Sequence, residues 1–177
     1  GLTVQTAGGN ILFNSNVTGA GGSIDLDRLS VISNGGNITL GGGTVGDGSG
    51  AARGQAGHIT GIQLLGATLN AAGGNIALRG QGFADNSTAH GVSMEDSTIS
   101  TTGAGTLTIA GTTEGKGVGS SGVNFEGATV TGGSTGAINV TGTNAVANGT
   151  NGNMFGVRLK ETASGTSTLT SLGGNVT

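Results

Sequence analysis

A few short stretches of this chain carry side chains that could do chemistry. Asp25 and Asp27 flank a single leucine. On a β-strand that spacing puts both carboxylates on one side, where they could hold a calcium ion or be balanced by Arg28. Glu95 and Asp96 are adjacent, so a strand would point them to opposite faces. Ala89-His90-Gly91 and Arg158-Leu159-Lys160 contain residue types used in cleaving acidic polysaccharides. Glycoside hydrolysis also needs two carboxylates roughly 5 to 9.5 Å apart. The aspartates Asp25, Asp27, Asp47, Asp85 and Asp96 fall instead at different repeat positions. No catalytic residue is expected, and the chain reads as a non-enzyme. His58 and His90 lack acids at ligand spacing, so no metal centre and no cofactor are expected beyond the calcium candidates Asp25 and Asp27. The stretch Gly41 to Gly50 has the wrong glycine spacing for a calcium-binding nonapeptide repeat and a single aspartate, Asp47.

Asn-x-Thr and Asn-x-Ser-type acceptor sites for glycans need a surface loop. Sequons stand at Asn16, Asn37, Asn86, Asn139, Asn148 and Asn175. Asn37 and Asn175 share a Gly-Gly-Asn corner with Asn10 and Asn75, where asparagine suits a left-handed turn or bonds nearby backbone. Asn86 and Asn148, in expected loops, are the better glycosylation candidates.

These residues sit on an unusual frame. Forty-one of 177 residues are glycine, none is proline, cysteine, tryptophan or tyrosine, and 8% are charged. The missing cysteine excludes disulfides and thiol chemistry. Six scattered basic residues and a net charge of −3 argue against nucleic-acid binding. No run is long and apolar enough for a transmembrane helix. Collagen needs glycine at every third position together with proline, and a third of the chain is apolar, more than a disordered segment carries. What remains is a thin, repetitive β structure.

The repeat is legible. Gly61 to Gly80, Gly91 to Gly111 and Gly122 to Gly142 follow one pattern. An alternating apolar pair is followed by a single apolar residue, a small-residue turn and a second alternating pair. Val92 to Val123 spans 31 positions, as does Leu107 to Ile138. Period-two alternation means strands with one buried face. The pattern predicts an all-β chain: a right-handed parallel β-helix, or β-solenoid, of about six coils with three strands of three to five residues each. Inward ladders would be Ile62, Val92, Val123 and Val157, and Ile76, Leu107 and Ile138. Residues 1–43, with GGN or GGS every 13 to 14 positions, read as compact coils. Residues 44–177 read as coils of about 31 residues, all within one solenoid spanning 1–177. Variable stretches 41–60, 81–90, 112–121 and 143–155 would line one edge, the place to look for binding. Threonines such as Thr106 and Thr108 face outward but recur at no one position in successive coils, so an ice-binding face stands only as an alternative.

The GGNIxL units, with a GVxΦxGATΦ strand between them, resemble the repeats of filamentous-haemagglutinin-like bacterial exoproteins. The resemblance implies export to the cell surface or medium, adhesion or fibre assembly, and a longer parent chain, in keeping with an opening Gly1. It names no ligand; host or matrix glycans are the expected class. Both ends lie inside the repeat grammar, so the expectation is continuation into further repeats or end-to-end stacking of copies. Alternatives are a polysaccharide-binding or polysaccharide-degrading β-helix and an ice-binding solenoid.

Overall fold

The computed structural model describes residues 1–84, 87–146 and 153–177. The chain starts on β1 (Leu2–Gln5) and β2 (Ile11–Ser15). The first full coil is β3 (Ile24–Asp27), β4 (Leu29–Ile32) and β5 (Ile38–Gly42), followed by the short β6 (Ala52–Arg53). The second is β7 (Ile62–Leu65), β8 (Thr68–Asn70) and β9 (Ile76–Gln81). The third is β10 (His90–Glu95), β11 (Thr98–Ser100) and β12 (Leu107–Thr113). The fourth is β13 (Ser121–Glu126), β14 (Thr129–Gly132) and β15 (Ile138–Asn144). The last holds β16 (Phe155–Lys160) and β17 (Thr168–Ser171), and Val176 bridges to Ile138 where a third strand would come.

Corresponding strands stack into three parallel sheets. Sheet I is β1-β4-β8-β11-β14-β17, sheet II is β2-β5-β9-β12-β15 with β6 beside β9, and sheet III is β3-β7-β10-β13-β16. The result is a β-solenoid of about five turns. The sixth rung expected from the sequence is the partial one made by β1 and β2. Within residues 1–43, Ile11 pairs with Ile38, so one coil takes 27 positions. The 13-to-14-residue spacing runs from one sheet to the next.

Burial follows the pleat. The sheet III ladder runs Ile24, Ile62, Val92, Val123, Val157, and the sheet II ladder Ile11, Ile38, Ile76, Leu107, Ile138. Both contain the residues expected from the alternation. Sheet I supplies Val4, Val31, Leu69, Ile99, Val130 and Leu169. From β4 to β15 these side chains are almost wholly buried. Each contributes roughly 1.5–3 kcal/mol of apolar transfer. At the last coil, Val157 and Leu159 are uncovered.

Several strands run to six or seven residues, longer than the alternation suggested. In β12 and β15 the strand continues through Gly111 and Gly142. There it passes against the start of the next sheet III strand. A Cβ on Gly80, Gly111 or Gly142 would overlap the carbonyl oxygen of Gly91, Gly122 or Gly156 respectively. Glycine is what lets the two backbones cross at that corner.

The corner between sheets III and I is a single residue in the left-handed region: Arg28 (φ 50°), Gly66 (58°), Asp96 (46°) and Gly127 (63°). The corner between sheets I and II is bonded by hydroxyls. Ser33 Oγ donates to the Gly36 carbonyl and Thr101 Oγ1 to that of Gly74. Beyond it the Gly-Gly-Asn asparagines form a ladder. Asn10 Oδ1 accepts from the Asn37 N–H, Asn37 Oδ1 from the Asn75 N–H, and Asn75 Oδ1 from the Thr106 N–H, at 2.8–2.9 Å. Their φ angles are not positive, so of the two roles expected for these asparagines, backbone bonding is the one they fill.

Candidate functional site

A polar recess lies on the outward face of sheet II, a cleft of about 340 Å³. Thr39, Asn75, Arg79 and Thr108 line it together with Asp47 and Ser49 of the loop that follows β5. The loop carrying Asp47 is tied down at both ends. Gly42 and Gly50 exchange backbone hydrogen bonds, and the Gly48 N–H donates to Asn14 Oδ1 at 3.0 Å. Asp47 Oδ1 accepts from the Ser49 N–H at 2.9 Å. Hydrogen bonds from Ser49 hold this carboxyl below the usual aspartate range, with Arg79 adding a smaller push the same way. The cleft thus offers one carboxylate, one guanidinium, hydroxyls and the two amides of Asn37 and Asn75. That set can bind a small hydroxylated molecule. Asp47 is the one acid among its lining residues, so the paired carboxylates of glycoside hydrolysis are not assembled there.

A second polar cluster lies on sheet III. Lys160 Nζ donates to Glu126 Oε1 across neighbouring coils, and this bond holds the Glu126 carboxyl below its ordinary value. Arg158 stacks over the Phe155 ring at 5.4 Å. Asn124 Nδ2 donates to Ser93 Oγ at 3.3 Å, and Asn124 is 2% exposed. His90 begins β10 beside Ser121 of β13. Burial, helped by Arg158 and opposed by Glu126, pushes its imidazole down to about 4. His90 is therefore neutral at physiological pH, with a buried Nδ1 that has no partner.

The calcium candidates Asp25 and Asp27 do share the outward side of β3. Both are exposed, Arg28 Nε lies 3.7 Å from Asp27, and their partners on β7 are Gln63 and Leu65. Among the described residues no three of His, Cys, Asp and Glu gather into a metal-sized group. Glu95 ends β10, whereas Asp96 occupies the left-handed corner beyond it and accepts a 2.7 Å hydrogen bond from Thr162 Oγ1. His58 lies on an exposed turn, paired through its backbone with Gln55. Arg158 and Lys160 stand two coils from His90, on β16 rather than β10. The glycosylation candidates Asn86 and Asn148, and Asp85, lie outside the described residues. The connections 82–89, 114–120 and 145–154 all lead from sheet II to sheet III, the common edge expected for the variable stretches.

The register corrects one expectation. Threonine does recur at one position, on sheet I. Thr3, Ser30, Thr68, Thr98, Thr129 and Thr168 are successive partners, and two residues further on come Gln5, Ile32, Asn70, Ser100, Thr131 and Thr170. Unequal coil lengths hide this column, because its members are spaced 30, 31 and 39 positions apart from Thr68 onward. The cleft was equally hidden: Asp47 and Arg79 come from different coils.

Among the described residues no helix is long and apolar enough to cross a membrane. No protein-family model, no curated protein and no solved structure matches this chain.

Proposed function

We propose that this chain is a structural and adhesive rod segment of an exported bacterial surface protein, without catalytic activity of its own. One observation supports the reading: an unbroken parallel ladder in which each interior coil is hydrogen-bonded to both neighbours across three sheets. Such a stack grows by about 4.8 Å per coil and resists bending because every coil braces the next. The repeat resemblance to filamentous-haemagglutinin-like proteins supplies the extracellular setting, and the variable edge between sheets II and III supplies a surface for host or matrix glycans. Copies or further repeats continue the stack at its open coil edges.

Electron microscopy of the purified chain, together with a glycan array and a host-cell adhesion assay, tests this. The reading expects rods made of copies stacked end to end, because about five coils at about 4.8 Å span only about 24 Å, and glycan or cell binding that weakens when the 114–120 loop is shortened. Particles that never stack would contradict fibre assembly, and no binding to any glycan or cell surface would contradict the adhesive part.

A further inference from the structure

We propose that the outward face of sheet I is an ice-binding surface. The proposal goes beyond the rod reading and stands on a different face from the variable edge. One column of threonine or serine, Thr3, Ser30, Thr68, Thr98, Thr129 and Thr168, runs across all six strands in register, and the column two residues further on is serine or threonine in three of them, at Ser100, Thr131 and Thr170. The columns repeat at about 4.8 Å from coil to coil and are separated by about 6.6 Å along each strand. The array is most regular where Thr98-Ile99-Ser100, Thr129-Val130-Thr131 and Thr168-Leu169-Thr170 lie side by side.

Three further observations point to an ordered, neutral partner. None of the twelve outward residues is charged, although sheet III displays Asp25, Asp27, Glu95, Glu126, Arg158 and Lys160. None of the threonine hydroxyls at 68, 98, 129, 131, 168 and 170 is bonded within the protein, whereas Ser33, Thr101, Thr113 and Ser120 bond backbone carbonyls. These free hydroxyls stand on β-branched side chains whose χ1 is stiff, above a core ladder whose middle rungs Leu69, Ile99 and Val130 are 0% exposed. The hydroxyls and methyls are therefore held as a lattice before any ligand arrives, and little side-chain entropy is lost when water orders on them.

The coil spacing is close to the oxygen repeat on low-index planes of hexagonal ice, so several bound waters can join the crystal together. A crystalline polysaccharide fits less well. Its flat sugar faces call for aromatic platforms, and none of the chain's four phenylalanines is on this sheet.

The test is adsorption of the fluorescently labelled 177-residue chain to a growing ice surface, with ice recrystallisation as a second readout. The intact chain should be enriched in ice and slow recrystallisation. Thr129→Glu, and separately Thr98→Glu, should reduce enrichment at least about tenfold. Thr141→Glu, exposed on sheet II, should leave it unchanged. Thr129→Val, which keeps the shape and removes the hydroxyl, guards against misfolding and should give a partial loss. Circular dichroism confirms that each variant is folded. Exclusion of the intact chain from ice overturns the proposal. So does equal loss from Thr141→Glu, or binding to crystalline cellulose in place of ice. None of these outcomes bears on the rod reading, which microscopy and the glycan array test.

Discussion

Gly111 of β12 passes so close to Gly122 of β13 that a Cβ on Gly111 would overlap the Gly122 carbonyl oxygen. The same pairing joins Gly80 to Gly91 and Gly142 to Gly156. The clash is with backbone, which cannot swing aside as a side chain can. Gly111→Ala should therefore cost more than about 3 kcal/mol. Gly165→Ala, with nothing within 4 Å and no positive φ, should stay within about 0.5 kcal/mol of the parent. Urea unfolding of both variants checks the contrast.

The III-to-I corner gives a pair of opposite expectations. Arg28 holds φ 50° without being glycine, at a cost of roughly 1–2 kcal/mol. Arg28→Gly should stabilise the chain by about 1 kcal/mol, because the exposed contact with Asp27 that it loses is worth little. Gly66→Ala at the equivalent corner should destabilise by a similar amount. Thermal unfolding of the two variants should show shifts of opposite sign.

His90 makes the fold sensitive to mild acid. Its folded-state pKa is about 4, against about 6.5 when unfolded. Between those values the unfolded chain binds a proton that the folded chain does not, so stability falls as pH drops through this window. The full loss is roughly 3 kcal/mol. His90→Gln should flatten the stability profile between pH 6.5 and 4.

Glu126 acts lower on the scale. Lys160 holds its carboxyl below the ordinary value of 4.5, so its contribution is present above that value and is lost as pH falls further. Lys160→Met should reduce acid sensitivity below about pH 4.5 while leaving the His90 window intact. Stability measured against pH for the two variants separates the groups.

The core was legible in the sequence, and the surface was not. Val92 to Val123 and Leu107 to Ile138 keep a constant 31-residue spacing because the third and fourth coils have equal inserts, and alternation marks which side faces in. Counting fails where inserts differ. Residues 161–167 and the long passage 43–61 shift every later position, so the column through Thr68, Thr98, Thr129 and Thr168 does not show as a period. Within residues 1–43, Gly8-Gly9-Asn10 and Gly21-Gly22-Ser23 look alike yet open strands of different sheets. Outward hydroxyls also carry no local signal, since any exposed strand accepts threonine. Only pairing between coils distinguishes a lattice from a scatter. The cleft depends on the same pairing: Asp47 is brought over Arg79 by the bonding of one loop to β2 and β5.

The buried ladders, the cleft and the threonine column all depend on the register of parallel coils, and the cysteine-free chain allows it to be measured directly. Thr98 and Thr129 are paired across adjacent coils on an open face. At about 4.8 Å between strands their Cα atoms are within disulfide range. The double variant Thr98→Cys/Thr129→Cys should form an intramolecular disulfide on mild oxidation. Thr98→Cys/Thr131→Cys, displaced by two residues, places the Cα atoms about 8 Å apart and should not. Cross-linking in the second pair, or in neither, would contradict the solenoid register.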